Sequence, residues 1–311
     1  MERLILVALI GFIAQMVDGS MGMAYGVTSS SLLLLAGFTP AVASASLHLA
    51  EVATTLASGI SHRKMGNVDR RVAWTLAIPG AIGGFFGAVF LGSTAGEVIK
   101  PVVSIILLVL GASILYRFSR TRLSLVGKAP KLTRWFMMPL GLVAGLCDAI
   151  GGGGWGPIVT TTLLSKSEAP PRTIVGSVSI SETAVAASAT IGFFLIGGWE
   201  TFSLPWVLAL MAGGVLAAPL AAWLVGRFSR NVLGVLVGGV ILLTNLRTLV
   251  RAASLGTTTA LLLYGAVILA TLIAFLRVRY TAGRPAATAQ AAPADSGEEV
   301  EFQAQVANGD D

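Results

Sequence analysis

The sequence predicts an all-α integral membrane protein made of two inverted repeats and one additional C-terminal span. Three observations lead there: hydrophobic residues make up 55% of the 311 residues and charged residues only 12%, the apolar residues form long runs, and the first half of the chain recurs in the second. An ordinary soluble domain has about 25% charged residues. The composition excludes a soluble globular enzyme and a disordered protein, and the single cysteine, Cys147, excludes a disulfide-stapled secreted domain.

Full membrane spans are predicted wherever an apolar run reaches the length that a helix needs to cross the bilayer. The hydrocarbon core is ~30 Å thick, which takes about 20 helical residues. The segments that meet this length are 41–60, 72–91, 98–116, 172–196, 204–225, 232–250 and 258–277. No alternation of apolar and polar residues typical of strands occurs, so we expect only helices.

Two further apolar regions, 3–37 and 136–165, are interrupted by glycine-rich polar stretches. The interruptions run from Asp18 to Gly26 and from Asp148 to Gly156. No piece of either region is expected to reach a comfortable span length. We therefore interpret each region as a broken helix or re-entrant hairpin that enters the membrane and turns inside it.

The two interrupted regions belong to a duplicated unit. The stretch from Gly11 to Asp18 matches the stretch from Gly141 to Asp148 at an offset of 130 residues, and Pro40 matches Pro170. One inserted residue later, Glu51 matches Glu182, so each unit is an interrupted hairpin followed by three spans. The predicted organisation is a first repeat (1–117), a basic cytoplasmic linker (118–135), a second repeat (136–250), an extra transmembrane helix (258–277) and a disordered tail (281–311).

The positive charges predict that the two repeats have opposite orientations. Loop 61–71 carries four Lys or Arg, whereas the equivalent loop 197–203 carries none. Placing the basic loops and the C-terminal tail in the cytoplasm puts 17 of the 21 Lys and Arg on that side. We therefore expect a multi-pass protein of the inner (cytoplasmic) membrane. Inverted repeats with interrupted helices are the architecture of secondary transporters, whose substrate binds near the midplane.

The glycine clusters, the downstream prolines and the duplication resemble the sulfite exporter TauE/SafE family of membrane proteins. The resemblance covers roughly residues 5–250, and the second cluster, 151–156, is the better match. The first cluster has Met23 and Ala24 where glycines are expected, and Val27 in place of proline. The resemblance implies export or uptake of sulfur-containing anions, such as sulfite or organosulfonates, driven by an ion gradient.

Helices that begin inside the membrane suit an anion. Their first N–H groups are unpaired, their N-terminus carries about half a positive charge, and glycine lets a ligand approach the backbone closely. The predicted substrate-binding residues are Gly22, Tyr25, Gly26, Thr28, Ser29, Ser30, Gly152, Gly153, Gly154, Trp155, Gly156, Thr160 and Thr161. The alternative is that the glycines and hydroxyl residues only permit tight helix packing. Tyr25 and Trp155, at matching positions, either form a cavity wall or fill the gap between half-helices.

Four acids lie within apolar segments, in two symmetric pairs: Asp18 with Asp148, and Glu51 with Glu182. An ionisable group at the centre of a membrane helix costs about 2.5–3.5 kcal/mol on insertion scales, so it needs a reason to be there. One hypothesis is that a pair takes up and releases protons during transport. The other is that these acids are hydrogen-bonded locks between the repeats. His48, one turn before Glu51 on the same helix face, is either a relay or substrate contact, or a hydrogen-bonded interior residue.

The sequence therefore predicts a secondary transporter for a small sulfur-containing anion, with proton coupling as a hypothesis. The alternative is a cation transporter for Na⁺, protons or a divalent metal that uses the intramembrane carboxylates. An enzyme is not expected, because the sequence has no HExxH motif and no GxSxG elbow. The stretch 151–156 also matches the dinucleotide-binding motif GxGxxG, but no predicted strand precedes it, so a dinucleotide-binding fold is not expected. The expected partners are the small anionic substrate and the lipid bilayer. We expect no cofactor, no metal and no nucleic-acid partner. The sequence specifies no oligomeric state.

Overall fold

The computed structural model describes residues 2–21, 23–120, 133–167, 169, 171–224 and 230–282. Within these ranges the chain is almost entirely helical and contains no strand. The helices long and apolar enough to cross a membrane are Arg70–Ser93, Val98–Ser119, Thr173–Thr201, Asn231–Ala252 and Thr257–Tyr280. The prediction of an all-α membrane protein is therefore confirmed. Gly22, residues 121–132 of the predicted linker (118–135) and residues 283–311 of the predicted tail (281–311) lie outside the described residues.

The first half begins with a helix that stops at the first interruption and continues as a shorter helix. Its elements are α1 (Glu2–Met21), α2 (Tyr25–Leu35), α3 (Pro40–Lys64), α4 (Arg70–Ser93) and α5 (Gly96–Ser119). Helix α4 starts where Asp69 accepts hydrogen bonds from the N–H groups of Arg71 (2.8 Å) and Val72 (3.2 Å), a standard N-terminal cap. Helix α2 has 11 residues, about 16 Å at 1.5 Å per residue, which is roughly half the hydrocarbon thickness.

The second half follows the same order of elements. They are α6 (Arg134–Gly151), a π-helical turn (Gly156–Thr160) that leads into α7 (Thr161–Lys166), α8 (Pro171–Gly197) with a 3₁₀ turn (Gly198–Thr201), α9 (Leu204–Leu224) and α10 (Arg230–Ala252). The extra span is α11 (Thr257–Ala282). The division of the chain into repeat units stays a prediction, with which this order of helices agrees.

Two sequence-based boundaries are wrong. Helix α1 has 20 residues, so the first interrupted region does contain a piece of span length. The reason is that the helix persists through Asp18 and breaks only after Met21. At the other end of the chain, residues 281 and 282 belong to α11 and not to a disordered tail.

Helices with equivalent places in the two halves pack against each other in antiparallel pairs, α3 with α8 and α5 with α10. The contacts that give these directions are Gly59 with Ile180 and Gly176 with His62 in the first pair, and Gly111 with Ile241 and Gly234 with Phe118 in the second. Two copies of one unit with opposite orientations produce such pairs. The packing supports the inverted arrangement, which stays a prediction.

Helices of each half also pack against helices of the other half. Helix α4 packs along α6 and α8, and α9 packs along α1, the counterpart of α6. Glycines let the backbones touch: a Cβ atom on Gly145 would overlap the carbonyl oxygen of Gly80, and one on Gly213 would overlap that of Ala8. Small residues at helix contacts are the usual means of close packing in membranes, where apolar side chains gain nothing over lipid.

We expect Gly145→Ala to destabilise the protein by roughly 1–3 kcal/mol, the usual cost of inserting a methyl group into a close-packed contact. Gly265→Ala is the matched control, because Gly265 lies inside α11 and a Cβ there would meet nothing within 4 Å. Thermal unfolding of the purified variants measures the difference. A Gly145→Ala protein that melts at the same temperature as Gly265→Ala would contradict the packing described for α4 and α6.

Candidate functional site

The two helix interruptions lie directly against each other in the interior. A Cβ atom on Gly26 would lie 2.7 Å from Cα of Gly153 and 3.0 Å from the carbonyl oxygen of Gly152. The hydroxyl of Ser30 donates a hydrogen bond of 2.5 Å to the carbonyl of Gly151. Glycine is required where Gly26 meets Gly153, because a side chain on either residue would collide with the backbone of the other break.

Asp18 and Asp148 hold the two breaks in the same way. Oδ1 of Asp18 accepts a hydrogen bond from the N–H of Tyr25 at 3.3 Å, and Oδ1 of Asp148 accepts one from the N–H of Trp155 at 2.9 Å. In each case the acid lies seven residues before its donor. A carboxylate at the start of a helix pairs an N–H group that lipid could not satisfy and faces the positive end of the helix dipole. These are the contacts expected of a structural lock at each break.

The two breaks differ in backbone conformation. The second takes its positive φ angles at Gly152 (64°) and Gly153 (148°), which glycine adopts without strain. The first takes one at Ala24, with φ of 102°. An alanine in this region costs about 1–3 kcal/mol, so the departure of the first glycine cluster from the family pattern is associated with local strain.

A cavity of about 290 Å³ lies beside the crossing of the two breaks. All four intramembrane acids, Asp18, Glu51, Asp148 and Glu182, contribute to its lining. None of the described lining residues is Lys or Arg. The other predicted site residues that line it are Tyr25, Gly26, Gly153, Gly154, Gly156 and Thr160.

The remaining predicted site residues are packed away from the cavity. Trp155 is fully buried, its ring lies against Gly80, and its indole N–H points to the carbonyl of Val178 at 3.4 Å. Of the two proposed roles, Trp155 therefore fills a gap between helices, whereas its counterpart Tyr25 lines the cavity. The hydroxyl of Thr161 donates to the carbonyl of Pro157 in its own helix turn. Also away from the cavity are Thr28, Ser29, Ser30 and Gly152.

Glu51 is 95% buried, with an exposed fraction of 5%, and its carboxylate borders the cavity. Its Oε1 would lie 3.1 Å from a Cβ atom on Gly26, close to the first turn of α2. The hydroxyls of Thr54 and Thr55 donate to the backbone carbonyl of Glu51, at 3.2 and 2.6 Å, and not to its carboxylate. Within the part of the chain that the structure describes, neither Glu51 nor Glu182 has a side-chain hydrogen bond. None of the described hydroxyls forms the suggested lock with the Glu51 carboxylate, and the choice between lock and proton coupling stays a prediction.

His48 and Asp148 are in hydrogen-bond contact. Nδ1 of His48 lies 2.8 Å from the carbonyl oxygen of Ser44, which only accepts, so Nδ1 carries a hydrogen. Nε2 lies 3.2 Å from Oδ2 of Asp148. This contact is attractive only if a second proton sits on Nε2 or on the carboxyl group. The repeat counterpart of His48 is Ser179, so Asp18 has no equivalent partner.

Among the described residues of α3 and α8, those that border the cavity lie in the C-terminal part of α3 and the N-terminal part of α8. Besides the two glutamates, the lining residues of these helices are Thr54, Thr55, Ser58, Val175, Val178 and Ser179. Their repeat counterparts, at an offset of 131, are Val185, Ala186, Ala189, Ser44, Leu47 and His48, each at most 1% exposed. The protein is therefore closed on the side of these counterparts, and the cavity extends towards Ser58 and Val175.

Sequence reasoning missed several polar residues of the cavity. Thr54, Thr55 and Ser58 follow Glu51 by three, four and seven residues, and Ser179 precedes Glu182 by three. These spacings place them on the same helix face as the acid. Reading the helix faces outward from each intramembrane acid would have found them.

We expect Asp148→Ala to destabilise the protein more than Asp18→Ala. Asp148 has two partners, the N–H of Trp155 and the ring of His48, and its removal leaves a buried donor at about 1–3 kcal/mol. Asp18 has the single, longer bond to Tyr25. Thermal unfolding of both variants in the same detergent tests this; equal losses, or a larger loss for Asp18→Ala, would show that the two caps are interchangeable.

Comparison with known proteins agrees with this architecture. The family model for the sulfite exporter TauE/SafE family matches residues 7–248. The chain is 53% identical over 268 residues to the probable membrane transporter protein YtnM of Bacillus subtilis (strain 168), which covers 86% of this chain and 89% of that protein. No solved structure matches. The resemblance drawn from the glycine clusters is confirmed, and the chain is a membrane transporter and not an enzyme. It belongs to the sulfite exporter TauE/SafE family.

Proposed function

We propose that the protein is a secondary transporter that moves a sulfur-containing anion, sulfite or an organosulfonate, across the cytoplasmic membrane with protons. Membership of the family supports the substrate class. The observation that carries the proposal is the cavity at the crossing of two broken helices, lined by residues of both halves. Inverted-repeat transporters bind their substrates at such a place. In this proposal the basic loops and the C-terminal tail face the cytoplasm.

Protonated glutamates are the proposed partners of the anion. Two unit charges 4 Å apart repel by about 4 kcal/mol at an effective dielectric constant of 20, whereas a neutral hydrogen bond, such as one from Thr160, contributes only about 0.5–1.5 kcal/mol. An anion beside ionised Glu51 and Glu182 would therefore not remain bound. A protonated carboxyl group removes the repulsion and donates a short O–H bond to the oxyanion. Each anion then travels with at least one proton.

In this proposal, a proton held between His48 and Asp148 couples transport to the conformational change. His48 is fully buried on the closed side, while Asp148 also borders the open cavity. If the halves exchange conformations, the repeat counterparts of the present lining become the new lining, and His48 is one of them. The shared proton would then reach water on the opposite side. Ser179 occupies the equivalent place in the second half, so we assign Asp18 to holding its break.

A cation transporter is the second candidate, and one observation favours it. His48, Glu51 and Asp148 each offer a ligand atom, all within 4.8 Å of one another and all buried. Because Nδ1 of His48 donates to a backbone carbonyl, Nε2 could present its lone pair, as in metal-bound histidines. The family description favours the anion transporter. The two candidates differ in the ion whose flux they predict, an anion with protons or a cation.

We expect Glu182→Gln to abolish the dependence of anion flux on a proton gradient, because an amide neither takes up nor releases a proton. In proteoliposomes, an inward proton gradient of one pH unit should accelerate sulfite uptake by the unmodified protein about ten-fold, because a one-proton step changes ten-fold per pH unit. The same gradient should leave the uptake rate of Glu182→Gln unchanged. Glu200→Gln is the control, since Glu200 is exposed at the end of α8.

Two results would contradict the proposal. One is an unchanged gradient dependence in both Glu182→Gln and Glu51→Gln at normal protein levels. The other is uptake of a cation that proceeds at the same rate with and without the anion, which would establish the second candidate.

A further inference from the structure

A second cavity, also about 290 Å³, lies apart from the central one, between the end of α2, the beginning of α5 and the end of α10. Nine of the residues that the structure describes line it, and three of these are the cations Lys100, Arg247 and Arg251. None of the nine is acidic. We call this space the basic cavity.

None of the side chains that the structure describes supplies a counter-charge to the three cations. In the described ranges of the chain, Lys100, Arg247 and Arg251 make no ion pair and no side-chain hydrogen bond. Arg247 and Arg251 are four residues apart on one face of α10, a spacing at which like charges repel. The dipole of α10 stabilises Arg251 in its last turn, but Lys100 lies in the second turn of α5, near the end that disfavours a cation. The three cations meet at one cavity because α5 and α10 pack against each other.

The basic cavity lies at the opposite end of the protein from the opening of the central cavity. Helix α2 connects them: Tyr25, its first residue, borders the central cavity, and Leu34 and Leu35, at its other end, border the basic cavity. The amide of Asn245 donates a 3.0 Å hydrogen bond to the hydroxyl of Ser31 and so joins α10 to α2. On the predicted topology this end is the outer face, where only four of the 21 Lys and Arg lie.

We propose that Lys100, Arg247 and Arg251 form a binding site for a phosphate or sulfonate group. Guanidinium and ammonium groups pair with such tetrahedral oxyanions through charge-assisted hydrogen bonds, and a bound oxyanion removes the mutual repulsion of the three cations. Two kinds of molecule present this group at a membrane surface: an acidic phospholipid through its head group, and a free organosulfonate or similar anion in the water.

The double variant Arg247→Gln/Arg251→Gln tests the site, because it removes two positive charges and keeps a polar side chain at each position. The measurement is thermal stabilisation of the purified protein by increasing amounts of two probes: phosphatidylglycerol, against phosphatidylcholine as the neutral lipid, and methanesulfonate in solution. Bound ligand stabilises the folded state by mass action. We expect the double variant to need at least about ten-fold more of one probe for the same stabilisation, since each lost charge-assisted bond is worth more than a neutral one.

Arg70→Gln/Arg71→Gln is the matched control, since these two exposed arginines lie at the start of α4, away from the basic cavity. A loss confined to phosphatidylglycerol identifies the lipid as the source of the anion, and a loss confined to methanesulfonate identifies the free anion; both support the site. An unchanged response to both probes, or the same loss in the control, overturns it. If the double variant is not monodisperse, Lys100→Gln is measured with the same probes. The proposal stands apart from the proton coupling of the central cavity.

Discussion

A helix that starts inside a membrane exposes N–H groups that lipid cannot satisfy, and this constraint organises the whole structure. Asp18 and Asp148 meet it, each by accepting the N–H group that opens the shorter helix after a break. Because the acids satisfy the broken ends internally, the breaks can lie deep in the protein, with Gly26 directly against Gly153. The cavity exists because two interrupted backbones cross there instead of two continuous helices.

The two halves share a scaffold but differ in an ionisable side chain, His48. The acids repeat, whereas His48 corresponds to Ser179, so the imidazole contact of Asp148 has no counterpart at Asp18. The cavity is also asymmetric. Residues of α3 and α8 line it on one side, whereas their repeat counterparts on the other side are at most 1% exposed. The repeated acids therefore stand in chemically different surroundings in the two halves.

Features that depend on residues close together in the sequence could be predicted from the sequence alone. Five of the seven predicted spans follow from apolar length, whereas the segments 41–60 and 204–225 are not among the described helices long and apolar enough to cross a membrane. The breaks follow from the glycine clusters, and the duplication is inferred from matched residues such as Glu51 and Glu182. The pairing of His48 with Asp148 could not be predicted, because the residues are 100 positions apart and the contact depends on how α3 packs against α6. The burial of Trp155 likewise depends on the close approach of α4 at Gly80. Even the end of α1 was misplaced, since a glycine does not by itself end a helix.

The most direct test of the central claim, a cavity open on one side of two crossed breaks, is the reactivity of single cysteines with a water-soluble maleimide. The cysteines are introduced by Thr55→Cys or, at its repeat counterpart, Ala186→Cys, each in a Cys147→Ser background. The account predicts rapid labelling at position 55 and protection at position 186 in the conformation described, with the reactivities exchanged when the transporter is driven into its opposite conformation. Equal labelling of both positions under all conditions would contradict it.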